Sequence, residues 1–182
     1  ENKRYELAAH LSGKMRAPPP NMTEGEWVLR RSRIQIFAGR ADDGLIAVVD
    51  WLSGIDQLSE EMLDRVLQVF FDLQTIGRHA LALKGFGQVA NFIQTPRQRQ
   101  ELLFWIAESH AALNEHARSA DLFLRSAVVD TRVATSSRWS QSARFKAAVQ
   151  LVHADLLADA RLIYLDLLQQ ADDQNQRLVL KQ

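Results

Sequence analysis

The stretch AALNEHARSADLFLRSA, residues 111–127, has the pattern of two helices joined by a short polar turn. On both sides of the turn, apolar residues recur at the three- and four-residue spacing of an amphipathic helix. The rest of the chain nearly lacks the alternating apolar runs, bounded by Asn-Gly or Asp-Gly, that indicate strands and hairpins. The stretch therefore predicts a helical hairpin, and the fold depends on whether that hairpin is repeated.

The same pattern recurs along the chain with a nearly constant period. Small residues in four second helices are 38, 38 and 40 positions apart, and each is followed four residues later by a larger apolar residue. A turn residue precedes each small residue by five positions, and the first two turns have glycine, which adopts the left-handed conformation without steric cost. The small residues are Gly44, Ala82, Ala120 and Ala160, the larger ones are Val48, Phe86, Leu124 and Tyr164, and the turns are Gly39, Gly77, Glu115 and Asp155.

The first helix of each hairpin should offer a partner for the small residue. Two antiparallel helices approach closely where one of them presents a hydrogen or a methyl group. Twelve residues before the small residue, the first and fourth hairpins offer Ser32 and Ala148. In the third hairpin the partner is Ala107, one position early, which predicts an extra residue in the turn, and in the second hairpin Phe70 predicts looser packing.

The helix breaks divide the chain into units of one domain, residues 1–182. Ser59 and Thr95 with Pro96 are predicted helix starts, because Ser and Thr cap helix N termini and Pro favours the first turn. The chain begins at Glu1, and its last residues have a helical pattern, so we expect a fragment of a longer chain. The predicted units are an incoming helix at 3–20, hairpins at 23–55, 59–94, 96–131 and 137–171, and the start of a further helix at 174–182.

A turn glycine, a small residue in the second helix and an aromatic residue four positions later resemble the tetratricopeptide repeat family, over about residues 23–171. The chain departs from the family in its period, which is longer than about 34 residues, in the displacement of Trp27 and Trp105 by one position, and in the missing terminal proline of each unit. A longer period also suits other α-solenoids, such as the HEAT type. The resemblance implies an all-α fold, a right-handed superhelical solenoid of antiparallel helix pairs.

Composition narrows the classes of function. The chain has 22 Lys and Arg against 22 Asp and Glu, so its formal net charge is zero and no nucleic-acid partner is predicted. No apolar run reaches the length of about 18 residues that spans a bilayer, so we expect no direct membrane insertion of this segment. The absence of cysteine excludes disulfides and thiolate chemistry.

The sequence offers no convincing catalytic, cofactor or metal motif. His110 and His116 lie close to Glu108 and Glu115, but they are six residues apart, whereas a helical zinc site needs two histidines four apart. We therefore expect His110 at the edge of the core and His116 at the turn. The glycines at 85–87 lack the Lys-Ser/Thr ending of a phosphate-binding loop. The prediction is a non-enzyme with no cofactor and no metal.

Arg30, Arg31 and Arg33 form the densest basic cluster and could bind a phosphate. They point to different sides of a helix and have no aromatic platform between them, so ion pairs are the stronger expectation. The acidic partners that we expect are Asp42, Asp43 and Glu26. Trp139, in a predicted polar connector at 130–142, is the candidate for an exposed anchor that holds a partner.

The resemblance implies a non-catalytic protein–protein interaction scaffold, which binds a protein or peptide on a concave surface formed by the first helices. It is closest to the divergent repeats of bacterial envelope and secretion proteins, which implies a periplasmic role in export or assembly, such as polysaccharide export or outer-membrane assembly, with further domains in the same chain. The residues that the resemblance places on the concave face are Glu26, Arg33, Asp64, Gln74, Glu101, Glu108, Ser142, Lys146 and His153.

An alternative function from another class is a ligand-sensing regulatory module of a cytoplasmic regulator. In that hypothesis a small anionic ligand binds inside the superhelix, and the arginines at 30–33 contact it. The sequence does not choose between a protein partner and a small ligand.

Overall fold

The computed structural model describes residues 2–15, 17–128 and 138–170, and the regular structure in these ranges is entirely helical, as predicted. The predicted further helix at 174–182 and most of the predicted connector at 130–142 lie outside the described residues. The described helices are α1 (Asn2–Lys14), α2 (Glu24–Phe37), α3 (Ala41–Ser53), α4 (Glu60–Thr75), α5 (His79–Val89), α6 (Pro96–Ala112), α7 (His116–Val128), α8 (Arg138–His153) and α9 (Leu157–Gln170), with a short 3₁₀ turn at Ala90–Phe92.

Side-chain caps fix where the first helices of three hairpins begin. The Thr23 hydroxyl accepts a hydrogen bond from the Glu26 backbone N–H, and the Glu26 carboxylate accepts one from the Thr23 N–H. Thr95 and Gln98 form the same reciprocal box ahead of α6, which has proline in its first turn. Ser59 accepts from the Met62 N–H at the start of α4. The predicted starts at Ser59 and Thr95 are therefore confirmed, and each cap satisfies N–H groups that the helix itself leaves unbonded.

The chain forms two compact units, Glu1–Phe92 and Ile93–Gln182. In the first unit, α1 packs on α2, and the hairpins α2–α3 and α4–α5 pack side by side through contacts of α2 with α4 and of α3 with α5. In the second unit, α7 packs against α6 and α8, and α8 packs against α9. Each unit therefore contains two neighbouring helical hairpins.

The hairpin turns contain the left-handed residues that the repeat pattern requires, with one correction. The turn residues with positive φ are Gly39, Gly77, Asn114 and Asp155. The prediction of Glu115 was wrong, because Asn114 adopts the left-handed conformation, with φ of 61°. Asparagine tolerates this region because its short polar side chain bonds locally.

The correction at Asn114 shifts the register of the third hairpin by one residue. The small residue five positions after the turn is Ser119, and it lies twelve residues after Ala107, the same spacing that separates Gly44 from Ser32. The Ser119 hydroxyl donates to the Ala107 carbonyl oxygen at 2.8 Å. The third hairpin therefore needs no extra residue in its turn, and the predicted insertion was wrong.

The close approach of paired helices is observed in both hairpins of the first unit. A methyl group on Gly44 would lie 2.7 Å from the Ser32 carbonyl oxygen, so only hydrogen fits there. In the second hairpin a methyl group on Gly85 would lie 2.5 Å from ring carbon Cε1 of Phe70. Phe70 is fully buried because Gly85 leaves room for its ring. The backbones of α4 and α5 nevertheless make fewer close contacts than those of α2 and α3, so the looser pairing predicted for the second hairpin is confirmed.

The core of the second unit contains Trp139, which the sequence had suggested as an exposed anchor. Trp139 lies in the first turn of α8, is half-buried, and packs with a centroid separation of 4.9 Å from Phe104. Its indole N–H donates to the Ser126 hydroxyl at 3.4 Å. The exposed-anchor prediction was wrong, because Trp139 lies inside α8, which begins at Arg138, and its side chain packs against the core of the second unit.

Candidate functional site

A groove of about 610 Å³ runs along α2 in the first unit, and we call it the α2 groove. The α2 residues in its lining recur every three or four positions, so they form one stripe along the helix. The lining consists of Tyr5 from α1, Asn21 and Met22 from the preceding turn, Glu26, Leu29, Arg30, Arg33, Ile34 and Phe37 from α2, and Arg65 and Gln68 from α4.

One end of the α2 groove is aromatic and apolar. The rings of Tyr5 and Phe37 lie with centroids 5.2 Å apart and an interplanar angle of 33°. Ile34 is half-buried beside them on α2, and Tyr5 keeps 39% of its surface exposed. This end therefore offers an apolar contact area with a phenol hydroxyl at its edge.

The middle of the groove contains Arg33, which is fixed by a buried carboxylate. Arg33 Nε donates to Asp72 Oδ2 at 2.5 Å, and Gln68 Nε2 donates to Asp72 Oδ1 at 3.2 Å. The Asp72 side chain is only 7% exposed, whereas that of Arg33 is 48% exposed. Arg33 therefore neutralises a buried carboxylate through Nε, while about half of its side-chain surface stays exposed.

The other end contains a second ion pair, between Glu26 and Arg65. Arg65 donates to Glu26 Oε1 at 2.8 Å and to Glu61 Oε1 at 2.7 Å. The hydrogen bonds from the Thr23 backbone N–H and hydroxyl, with the nearby Arg65 charge, lower the pKa of Glu26. Glu61 and then Glu26 raise the pKa of Arg65. Glu26 therefore both caps the N terminus of α2 and forms an ion pair with Arg65 of α4.

The two ion pairs form a regular ladder between α2 and α4. Glu26 and Arg65 are 39 residues apart, as are Arg33 and Asp72, and each member is seven residues from its counterpart on the same helix. Seven residues are about two helical turns, so the two helices run in the same direction with a constant register. Part of the predicted binding face therefore serves to hold neighbouring first helices together.

Arg30 differs from the other arginines of the groove. It is exposed, and no ion pair joins it to any residue in the part of the chain that the structure describes. The guanidinium of Arg31 lies 5.7 Å from the ring of Trp27, outside the groove lining. The expectation that Asp42, Asp43 or Glu26 would neutralise this cluster was wrong for Arg33, since Arg33 faces α4 and pairs with Asp72.

The remaining residues predicted on the binding face lie outside the α2 groove. Asp64 is exposed on α4, and Gln74 is half-buried near the end of the same helix. In the second unit, Glu101 pairs with Arg97 at 3.1 Å, and Lys146 Nζ lies 2.6 Å from Glu108 Oε1. Ser142 and His153 are exposed on α8. The structure thus brings together Glu26 with Arg33 and Glu108 with Lys146.

The sequence prediction missed several residues of the groove, above all Arg65, Gln68, Tyr5 and Phe37. The signal that could have found Arg65 is the repeated spacing of 39 residues between opposite charges on two first helices. No comparable signal pointed to Tyr5 and Phe37, because they come from helices of different hairpins and meet only through the packing of α1 on α2.

The histidines near the third turn make structural contacts. Buried His110 lies with Nδ1 2.7 Å from Glu115 Oε2, and His116 lies with Nδ1 2.8 Å from Gln150 Oε1. The rings of His116 and His153 are 5.1 Å apart. Within the ranges that the structure describes, no group of three or more His, Cys, Asp or Glu residues is arranged to hold a metal ion.

Comparison with known proteins gives no relative: no protein-family model, curated protein or solved structure matches the chain. Among the helices of the described ranges, none is both long enough and apolar enough to cross a membrane.

Proposed function

We propose that this chain is a protein–protein interaction scaffold that binds a peptide segment of its partner in the α2 groove. The observation that carries the proposal is the lining of that groove, which combines an aromatic end with exposed guanidinium groups along one helix. Short peptide segments are recognised by such grooves, where apolar pockets supply affinity and fixed polar groups supply specificity.

The size of the groove supports a peptide. Its lining on α2 extends from Glu26 to Phe37, a separation of eleven residue steps and therefore about 16 Å at the helical rise of 1.5 Å. An extended chain rises about 3.3 Å per residue, so the groove has room for about five residues of a partner. A small-molecule site occupies a similar volume, but its walls usually enclose the ligand.

The fold that we propose for the chain is a tetratricopeptide-like solenoid. The support is the recurrent hairpin register, in which Ser32, Phe70, Ala107 and Ala148 are each fully buried twelve residues before Gly44, Ala82, Ser119 and Ala160. Pairing of first helices also supports it, since α2 pairs with α4 through ion pairs, and Glu108 of α6 pairs with Lys146 of α8 across 38 residues. A right-handed superhelix would follow from repetition of this step.

A periplasmic setting in envelope export or assembly remains part of this proposal, and it depends on the resemblance of the repeats. Fractionation of cells that express the parent protein tests the setting directly. Recovery in the periplasmic fraction supports an envelope role, and recovery with the cytoplasm favours the regulatory alternative.

Binding in the α2 groove can be tested with two matched isoleucine variants. Peptides are selected on the wild-type chain from a random library, and their affinities are measured for Ile34→Asp and Ile46→Asp. Ile34 lines the groove, whereas Ile46 is 57% exposed on α3 outside it. We expect Ile34→Asp to lower affinity at least tenfold, about 1.4 kcal/mol, and Ile46→Asp to leave it unchanged. Circular dichroism checks that both variants fold.

Equal binding of the selected peptides to both variants would contradict a peptide site in the α2 groove. Failure to select any peptide, together with a large thermal shift by a small anionic metabolite, would favour the ligand-sensing module. The observation behind that second candidate is exposed Arg30, whose charge no described residue neutralises and which neighbours Arg33.

A further inference from the structure

We infer that the α2 groove selects a peptide with an acidic side chain two or three residues away from a large apolar side chain. Arg30 and Arg33 would bind the carboxylate, and the Tyr5–Phe37 end would take the apolar group. The inference rests on the proposed function, because it names the chemistry of the peptide that the groove would bind.

The first support is the arrangement of the two guanidinium groups. Arg30 and Arg33 are three residues apart on the groove stripe, so their side chains are neighbours on one helix face. Asp72 and Gln68 fix Arg33 through the Nε bond, which leaves the terminal nitrogens of Arg33 for another acceptor. A guanidinium has five N–H donors and pairs with a carboxylate in a bidentate geometry, so a prearranged Arg33 needs little ordering when an acid binds.

The second support is the balance of charge along the lining. Three guanidinium groups line the groove, but Asp72 pairs with Arg33, and Glu26 and Glu61 pair with Arg65. Arg30 is therefore the lining cation that no carboxylate of the described residues neutralises. Glu26 already accepts hydrogen bonds from Thr23 and Arg65, so its capacity for a cationic ligand is largely used. An incoming acid meets the unneutralised guanidinium of Arg30, whereas an incoming lysine meets its like charge, and this difference gives specificity.

The third support is the separation between the charged and aromatic parts. Phe37 follows Arg33 by four residues and Arg30 by seven, which is about 6 and 10 Å along the helix axis. An extended peptide spans the same distance in two or three residues. An acid and an apolar side chain at that separation can therefore occupy both parts at once. The acid is a side chain, so the proposal does not require the C terminus of the partner.

The test uses capped, fluorescein-labelled peptides of nine residues, made of Gly and Ser with one Glu and one Trp three positions later. Fluorescence anisotropy with the full chain measures binding of this peptide and of versions in which the Glu is replaced by Gln or Lys, or the Trp by Ala. We expect the Glu peptide to bind about tenfold more tightly than the Gln peptide. The Lys and Ala versions should bind more weakly still, and the preference for Glu should decrease as salt is raised.

Two protein variants test whether Arg30 causes the preference for the Glu peptide over the Gln peptide. Arg30→Gln should remove the discrimination between Glu and Gln peptides, because Arg30 lies in the lining and has no ion pair with a described residue to lose. Arg31→Gln is the matched control, since Arg31 is on the same helix but lies over Trp27 outside the lining. Arg31→Gln should therefore keep the tenfold preference.

The outcomes separate this inference from the proposed function. Equal binding of Glu and Gln peptides, unchanged by Arg30→Gln but weakened by Ile34→Asp, overturns the acidic preference and leaves a peptide groove. If no peptide binds, including those selected from a library, both the inference and the proposed function fail. If inorganic phosphate alone raises the melting temperature of the wild type but not of Arg30→Gln, while no peptide binds, the site serves a small anion and the inference is wrong.

Discussion

The two units build the same helical hairpin from different residues. All eight glycines of the chain lie in the first unit, and the second unit has none. Where the first unit has Gly44, the third hairpin has Ser119, and where the first two turns have glycine, the last two have Asn114 and Asp155. The hairpin therefore requires a small volume and a left-handed turn, and glycine is only one way to provide them.

The replacement of glycine by serine changes how the helices are held. In the second unit, buried hydroxyl groups cross from one helix to the backbone of the next, each at 2.8 or 2.9 Å. The bonds run from Ser119 to the Ala107 carbonyl, from Ser126 to the Gln100 carbonyl and from Ser140 to the Ala127 carbonyl. In the first unit, direct backbone contact at Gly44 takes this place. The second unit therefore holds its helices with directional hydrogen bonds, and the first unit holds them with closer packing.

The units also differ in what occupies the space between the first helices of their neighbouring hairpins. In the first unit that space contains the α2 groove with its exposed arginines. In the second unit Phe104 and Trp139 fill it, and the Lys146 ammonium lies 5.7 Å from the ring of Phe104 while it pairs with Glu108. The same hairpin can therefore leave an open groove or pack a core, which is why we place the proposed peptide site in the first unit.

The largest effect that we expect is at Gly85, where the close packing of the first unit can be broken. Gly85→Ala places a methyl group against the fully buried ring of Phe70 and should cost about 1–3 kcal/mol. Gly87→Ala is the matched control on the same helix, because nothing lies within 4 Å of the new methyl group. Gly87→Ala should stabilise by up to about 1 kcal/mol. Urea unfolding followed by far-UV circular dichroism measures both, and equal effects would refute the close contact.

The next largest effect is expected at the turns, where the first unit has glycine and the second unit has asparagine or aspartate. Substitutions at Gly39 and Asn114 test how much each turn depends on glycine. Gly39→Ala forces a side chain into φ of 82° and should cost about 1–2 kcal/mol, although the site has open space around it. Asn114→Gly, at φ of 61°, should be neutral or stabilising by a few tenths of a kcal/mol, since glycine adopts this region freely. Thermal melts of both variants report the difference. A stable Gly39→Ala would show that the turn is not constrained by its conformation.

A smaller effect is expected for the buried serines. Ser119→Ala removes the bond to the Ala107 carbonyl and should cost about 1 kcal/mol. Ser32→Ala is the counterpart in the first unit, where the hydroxyl is buried with no hydrogen-bond partner among the described residues. Its removal should be neutral or stabilising, because an unsatisfied buried hydroxyl carries a desolvation cost. The same urea assay measures both, and a loss of stability in Ser32→Ala would indicate a partner for that hydroxyl.

Periodicity was enough to predict the all-helical fold class and the helical hairpins of the described residues. The spacing of small residues, caps and turns identified the hairpins, because each feature acts within one helix or between two that are adjacent in the chain. The error at Glu115 arose because the sequence places an alanine, Ala120, directly after Ser119, and either residue is small enough for the contact. Only the left-handed φ of Asn114 decides the register.

The site was harder to predict, because its geometry depends on contacts between hairpins. Glu26 and Arg33, which were predicted on a binding face, both line the α2 groove, but their pairing with Arg65 and Asp72 requires knowledge of which helix faces α2. A composition of balanced charge does not show which arginine remains unpaired. That distinction separates Arg30 from Arg33, and it follows from packing alone.

The smallest effect that we expect is the pH dependence contributed by Glu26. Hydrogen bonds from Thr23 and the Arg65 charge lower its pKa in the folded chain, so its stabilising contribution is present above the range where a free glutamate titrates, about pH 4.3. That contribution is lost as the pH falls through the lowered pKa. Glu26→Gln should therefore flatten the loss of stability on acidification. Glu24→Gln removes the same charge from the same turn without entering the capping box, so it should keep the steeper acid limb. Urea midpoints measured from pH 7 to pH 3 compare the two, and parallel curves would show that the Glu26 ladder contributes nothing specific to the first unit.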